Sequence, residues 1–280
     1  GSEMCIRDSN GTNRCSVNPV IGAELEEKYY VAPPLSKKKV LVVGGGPAGM
    51  MAALTAADRG HTVTLFEKTG ELGGELKFAT YVSFKWPLRE YKDYLIAQVG
   101  KKQGVTVKLN TEATPDDVKG YDVVIAAVGA SPVVPPIPGI QAALPACDSY
   151  GKEDTLGNEV VVIGGGQVGC ETALHLAKLG KKVTIIEMQS EIAPEANWMH
   201  KEGMMQAFAK APITARTGLR VSRLEPGKGV YAVNGEGAEE FIPADTIVYA
   251  MGMRPNTQTV EALRDACLDT VCVGDCVRAR

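Results

Sequence analysis

From residue 37 onward, short runs of β-branched residues alternate with longer stretches whose apolar positions recur at helical spacing. Residues 39–43, Lys-Val-Leu-Val-Val, read as a strand, the Ala-rich residues 49–59 as an amphipathic helix, and residues 61–66 as a second strand. The near-continuous apolar character of these runs suits a sheet covered on both faces, since only a strand with one wet face needs to alternate. A further helix is predicted at 88–99, with strands at 105–109 and 123–127.

The order then repeats. Strand 159–163, helix 168–179 and strand 182–186 reproduce the first three elements, and Gly164 stands 120 positions after Gly44. Beyond about residue 213 come short strands with turn signals at Pro226-Gly227 and Asn234-Gly235. An apolar strand at 246–250 is expected to rejoin the first sheet. Residues 1–34 are polar, carry Asn18-Pro19 and Pro33-Pro34, and are expected to be irregular. The fold class is therefore α/β, with two nested Rossmann-like dinucleotide-binding domains. One is discontinuous, 35–142 with 245–280; the other, 143–244, is inserted within it.

Bulk properties narrow the setting. A chain of 280 residues, 45% hydrophobic and 22% charged, is long enough to bury two cores. A net charge of −3 supplies no basic field for nucleic acid or anionic lipid, so neither is expected as a partner. No apolar run has the length of a membrane span, and no basic-then-apolar leader opens the chain. The 7 cysteines have no paired spacing, which favours reduced thiols and a cytoplasmic location. Only 3 histidines leave little room for a His-based metal site.

Two motifs carry the chemistry. Gly44-Gly45-Gly46-Pro47-Ala48-Gly49 lies directly between a strand and a helix. Gly44 permits a tight turn, Gly46 lets the backbone approach a pyrophosphate, and Gly49 lets helix pack close to strand. The helix N-terminus, with Pro47 and Ala48, offers N–H groups and positive partial charge to phosphates. Glu67, at the end of the second strand, can accept ribose hydroxyls, with Lys68 beside it. The second motif, Gly164-Gly165-Gly166-Gln167-Val168-Gly169, has Glu187 in the same relation. An acid there repels a 2′-phosphate, and Met188-Gln189-Ser190 brings no Arg or Lys, so NADH is expected over NADPH. Two dinucleotide sites in one chain suggest that one cofactor delivers hydride and the other accepts it.

At this level the chain resembles the two-dinucleotide-binding-domain flavoproteins. The resemblance rests on residues 40–67 with Leu72-Gly73-Gly74, on Ala127-Val128-Gly129, on Gly252-Met253-Arg254-Pro255-Asn256 and on Val273-Gly274-Asp275. It implies FAD at Gly44, Gly46, Gly49, Glu67, Gly73, Gly74, Gly129, Gly274 and Asp275, the last on the ribityl chain. It implies NAD(H) at Gly164, Gly166, Gln167, Val168, Gly169, Glu187 and Gly252, with Arg254 at the crossover.

Arg14-Cys15-Ser16-Val17-Asn18-Pro19 is similar to a junction in the enoate reductase, 2,4-dienoyl-CoA reductase and trimethylamine dehydrogenase group. Those proteins begin with an FMN-binding TIM barrel followed by a [4Fe-4S] cluster, of which the matching cysteine is the last ligand. The resemblance thus implies Cys15 as a metal ligand and an electron path from NADH through FAD, cluster and FMN to an α,β-unsaturated substrate. The barrel, cluster and FMN would belong to a longer parent enzyme, of which this chain is the electron-input half. Met4 to Ser9 matches no family pattern and reads as a fused remnant. The end at Arg280, before a helix that family members aim at the flavin, predicts weak FAD retention. Two rival readings are an independent NADH-dependent flavin or ferredoxin-type reductase, and a non-catalytic ADP-binding domain.

Other residues separate the branches. No Cys-x-x-Cys occurs and no cysteine follows Gly74 closely, which speaks against thiol–disulfide chemistry. Cys170 is expected to pack against the sheet, and His175 to sit at a surface or core edge. Cys272 and Cys276 are expected to pack without bridging. Glu171 reads equally as an acid on the nicotinamide side or as a dipole-complementing helix residue. For Tyr81 and Trp86, a flavin cover and simple loop packing stay open.

Overall fold

The computed structural model describes residues 31–279 together with Leu25. The expectations for Cys5, Cys15, the junction at 14–19 and the remnant at 4–9 lie outside the described residues. The chain forms two compact units. Among the described residues, unit 1 holds 31–80, 84–131 and 255–279, and unit 2 holds 81–83 and 132–254.

Unit 1 is built on a parallel sheet of five strands. They are β1 (Lys39–Val43), β2 (Thr62–Phe66), β3 (Val105–Lys108), β4 (Val123–Ala126) and β15 (Thr270–Cys272), in the order β15-β4-β1-β2-β3. The side chains of β1 explain its unbroken apolar run. Val40 and Val42 pack with Ala53 and Ala56 of helix α1 (Pro47–Asp58). Leu41 and Val43 point the other way, towards Val260 and Leu263 of α5 (Thr257–Ala266). Helix α2 (Trp86–Lys101) adds Leu95 and Val99 against Met50. The strand order reverses between β1 and β4, and a crevice at the carboxyl ends of such a pair is where open α/β sheets take ligands.

Unit 2 repeats the plan in the order β6-β13-β7-β8-β9, again all parallel. Its strands are β6 (Leu144–Pro145), β7 (Glu159–Ile163), β8 (Lys182–Ile186), β9 (Ile213–Arg216) and β13 (Thr246–Tyr249). Val160 and Val162 pack on Ala173 and Leu176 of α3 (Gln167–Lys178), with Met204 of α4 (Trp198–Phe208) in the same core. The opposite face, with Val161 and Ile163, is covered by an antiparallel meander. That meander is β10 (Leu219–Glu225), β11 (Gly229–Asn234) and β12 (Glu239–Pro243). Where unit 1 uses a helix, unit 2 uses a sheet.

The strand expected at 246–250 to rejoin the first sheet instead pairs with β7, Thr246 opposite Val160. The strand that rejoins the first sheet is β15, beside β4. A fully buried strand is apolar on both faces whichever sheet it enters, so its composition does not name its neighbour. The chain accordingly leaves unit 1 along β5 (Ala130–Pro132), earlier than the boundary at 142, and returns along β14 (Met253–Pro255), later than the boundary at 245. Among the described residues, no helix is long and apolar enough to cross a membrane.

Candidate dinucleotide sites

In unit 1 the glycine loop begins where β1 ends. Gly44 N donates to Phe66 O at 2.8 Å, and Ala127 N, just past β4, donates to Val43 O at 2.8 Å. Gly44 has φ +107°, and a Cβ on it would fall 2.3 Å from Ala127 O. A Cβ on Gly49 would lie 1.9 Å from Gly44 O. Those two positions are glycine because the protein's own backbone fills the space. Gly46 is different: its φ is −73°, and a Cβ there would meet nothing nearer than Gly74 Cα at 3.8 Å. The space in front of Gly46 is left for something other than protein. Helix α1 opens there with no side-chain cap, and Pro47 in its first turn gives up no needed N–H. An uncapped N-terminus facing free space suits an anionic diphosphate.

The carboxylate of Glu67 is buried and already engaged. Its Oε2 accepts from Gly45 N at 2.7 Å, and its Oε1 accepts from Thr69 N and Thr69 Oγ1, both at 2.8 Å. Oε2, which accepts a single hydrogen bond, has a further lone pair, so a ribose hydroxyl can still donate to it. The acid therefore also pins the loop, a role that motif spacing does not reveal. The signal was the middle glycine: a Cβ on Gly45 would lie 2.4 Å from Leu72 Cδ2 and 2.9 Å from Glu67 Oε2.

Gly73 N donates to Gly45 O at 2.9 Å, and a Cβ on Gly74 would fall 2.8 Å from Gly46 Cα. Both predicted residues thus line the loop, while Lys68 is exposed beside it. Gly274 approaches Ala48, with a Cβ placed 2.7 Å from that side chain, and puts the exposed Asp275 by the start of α1. Sequence reasoning missed the role of Asn256. Its Nδ2 donates to Val128 O at 2.8 Å, its N to Gly129 O at 3.1 Å, and its Oδ1 accepts from Ser131 Oγ at 2.8 Å. It fixes the 127–129 loop against Gly44.

Unit 2 reproduces this geometry closely. Gly164 has φ +102°, and a Cβ on it would lie 2.5 Å from Ala250 O; a Cβ on Gly169 would lie 1.9 Å from Gly164 O. Gly166 would meet nothing within 4 Å, and α3 starts after it with no side-chain cap. Glu187 is buried, with Oε2 accepting from Gly165 N at 2.6 Å and Oε1 from Gln189 N at 2.8 Å. Gln167 and Val168 are exposed at the helix start, and Gly252 lies beyond β13 at φ +87°. A cavity of about 210 Å³ opens against the loop, walled by Gly164, Gly166, Glu187, Met188, Gln189 and, from β10, Arg220.

The remaining candidates fall into supporting places. Burial pushes the Cys170 thiol up to about 12, and its Sγ donates to Gly165 O at 3.3 Å, so it packs behind the loop. His175 is buried rather than at an edge, its Nε2 2.8 Å from Glu153 Oε1 and its ring beside Tyr150. Glu171 is buried and accepts from Gln167 Nε2 and His200 Nε2, both at 3.2 Å. Cys272 and Cys276 are unbridged; Cys276 Sγ donates to Ala126 O at 3.2 Å. Arg254 and Trp86 are exposed, and Tyr81 packs over Gly151. Among the described residues, no cluster of His, Cys, Asp and Glu could hold a metal ion.

The family described as pyridine nucleotide-disulphide oxidoreductase matches residues 38–271. The chain belongs to that family. Within it, the chain is 42% identical over 276 residues to an NADH oxidase of Thermoanaerobacter brockii, covering 94% of this chain and 41% of that protein. It is 36% identical over 247 residues to a cinnamate reductase of Clostridium sporogenes, covering 86% and 36%. Among solved structures, a 2-naphthoyl-CoA reductase complex superposes with a TM-score of 0.89 at 34% identity, over 96% of this chain and 41% of that one. The chain thus spans about 36–41% of the length of these relatives. It corresponds to the FAD- and NAD(P)H-binding half of enoate-reductase-like enzymes, and its class is that of FAD-dependent NAD(P)H oxidoreductases.

Proposed function

We propose that unit 1 binds FAD, that unit 2 binds NADH, and that the chain passes electrons from NADH to FAD. The observation that carries this reading is the duplicated loop. Gly46 and Gly166 each face space that no protein atom fills, at an uncapped helix start with a buried glutamate behind. Gly44, Gly46, Pro47, Ala48, Gly49, Glu67, Lys68, Gly73, Gly74, Gly129, Gly274 and Asp275 form the FAD cradle. Gly164, Gly166, Gln167, Val168, Gly169, Glu187 and Gly252 form the NADH cradle. Bound FAD supplies a two-electron acceptor that can release electrons singly. The protein's part is to hold the diphosphates on backbone N–H groups and the riboses on the two glutamates. No acid or base is required of it, since hydride moves with its own electron pair.

In a longer parent enzyme, electrons would continue through a [4Fe-4S] cluster, with Cys15 as one ligand, and through FMN in an upstream barrel to an α,β-unsaturated C=C bond. Support comes from the shared length with larger relatives, two of which are named for reducing cinnamate and 2-naphthoyl-CoA. Stopped-flow mixing of the FAD-loaded chain with NADH tests the core of the reading. Bleaching of the flavin absorbance supports it. Nucleotide binding without bleaching overturns it in favour of a non-catalytic nucleotide-binding domain.

A further inference from the structure

Two backbone hydrogen bonds build the ribose end of the unit 2 cavity. Leu219 N donates to Glu187 O at 3.0 Å, and Gly218 N donates to Gln189 O at 2.8 Å. They lay the start of β10 alongside the residues that follow β8, and so bring Arg220 into the wall with Glu187, Met188 and Gln189. The neighbouring arginines are both committed. Arg216 Nη2 donates to both oxygens of Glu240, at 2.7 and 2.9 Å. Arg223 donates to Glu239 at 3.1 and 3.2 Å and stacks 3.3 Å above the Tyr231 ring centre. Arg220 is exposed and has no carboxylate partner among the described residues.

We propose that Arg220 is a specificity-determining residue that receives the 2′-phosphate of a phosphorylated dinucleotide, so that unit 2 accepts NADPH as well as NADH. The inference rests on unit 2 being the nicotinamide dinucleotide site. Glu187 alone argues the other way, because a carboxylate beside the ribose repels a phosphate. Its two oxygens, however, are turned onto Gly165 N and Gln189 N, whose N–H dipoles offset part of that charge. Arg220, which lines the same cavity, carries a planar fork of donors that fits phosphate oxygens. Because Arg220 is exposed, water and salt screen its charge, so the result is tolerance of both cofactors rather than a switch to one.

Calorimetric titration of the chain with ADP-ribose and with 2′-phospho-ADP-ribose isolates this term from flavin chemistry. The wild-type chain is expected to bind both ligands within about tenfold of each other. Arg220→Ala should weaken the 2′-phospho ligand by about tenfold or more, ~1.4 kcal/mol, and the plain ligand by less than about twofold. Arg220→Lys should keep part of the difference, and added salt should erode it. Equal weakening of both ligands by Arg220→Ala, or of neither, overturns the proposal. Failure of the wild-type chain to bind either ligand overturns the dinucleotide reading of unit 2, and this inference with it.

Discussion

Substituting Gly166 and Gly169 one at a time separates what the fold needs from what a ligand needs. At Gly169 an added methyl would lie 1.9 Å from Gly164 O, about 1 Å inside the shortest contact that real Cβ atoms make. The obstacle is backbone, which no rotamer change can move. Alanine in a helix gains about 1 kcal/mol over glycine, but overpacking against a fixed atom costs about 1–3 kcal/mol, and this contact belongs at the upper end. Gly169→Ala should therefore destabilise unit 2 by about 2 kcal/mol net. At Gly166 the backbone is extended, φ −66° and ψ 179°, and a methyl would meet nothing within 4 Å. Gly166→Ala should leave stability unchanged or raise it by about 0.4–1 kcal/mol, through a less disordered unfolded chain. It should nonetheless cost NADH about tenfold or more in affinity, since the methyl stands where a diphosphate must approach. Urea unfolding followed by circular dichroism, paired with NADH titration by fluorescence, reads both effects. A Gly166→Ala variant that binds NADH normally, or that is as unstable as Gly169→Ala, refutes the assignment of that space to a ligand.

Other consequences are open to direct measurement. Asn256→Ala removes the side-chain hydrogen bonds with Val128 and Ser131; it should cost unit 1 about 1–2 kcal/mol and lower FAD content after gel filtration, whereas full retention would show the clamp to be dispensable. With its thiol pushed up to about 12 by burial, Cys170 should resist iodoacetamide at pH 8 in the folded chain and react after denaturation, as mass spectrometry of the peptide would show. Burial raises the Glu153 carboxyl, but hydrogen bonds from His175 and from backbone N–H groups outweigh it and hold the pKa below the usual 4.5. A carboxyl lowered on folding contributes stability above its unfolded pKa and loses it as pH falls through the folded one. The urea midpoint should thus drop on acidification below about pH 4.5, and Glu153→Gln should flatten that part of the profile; an unchanged slope would discount the pair.

The two glycine loops could be read from the chain because their requirements are local. Gly44, Gly49, Gly164 and Gly169 answer to atoms within a few residues or on the adjacent strand end, and strand, loop, helix and acid follow one another in order. The duplication, the alternating apolar runs and the acids at 67 and 187 are likewise properties of short segments. What the sequence left open concerns partners distant along the chain. Strand β13 joined the second sheet and β15 the first because each pairs with the strand its own unit has already assembled, and a doubly buried strand carries no mark of its neighbour. Asn256 meets Val128 from 128 positions away, and Arg220 reaches the cavity wall of unit 2 only because the meander folds back beside Glu187. Spacing along the chain encodes turns, caps and periodicity; which side chains from separate segments share a cavity is decided by packing in three dimensions.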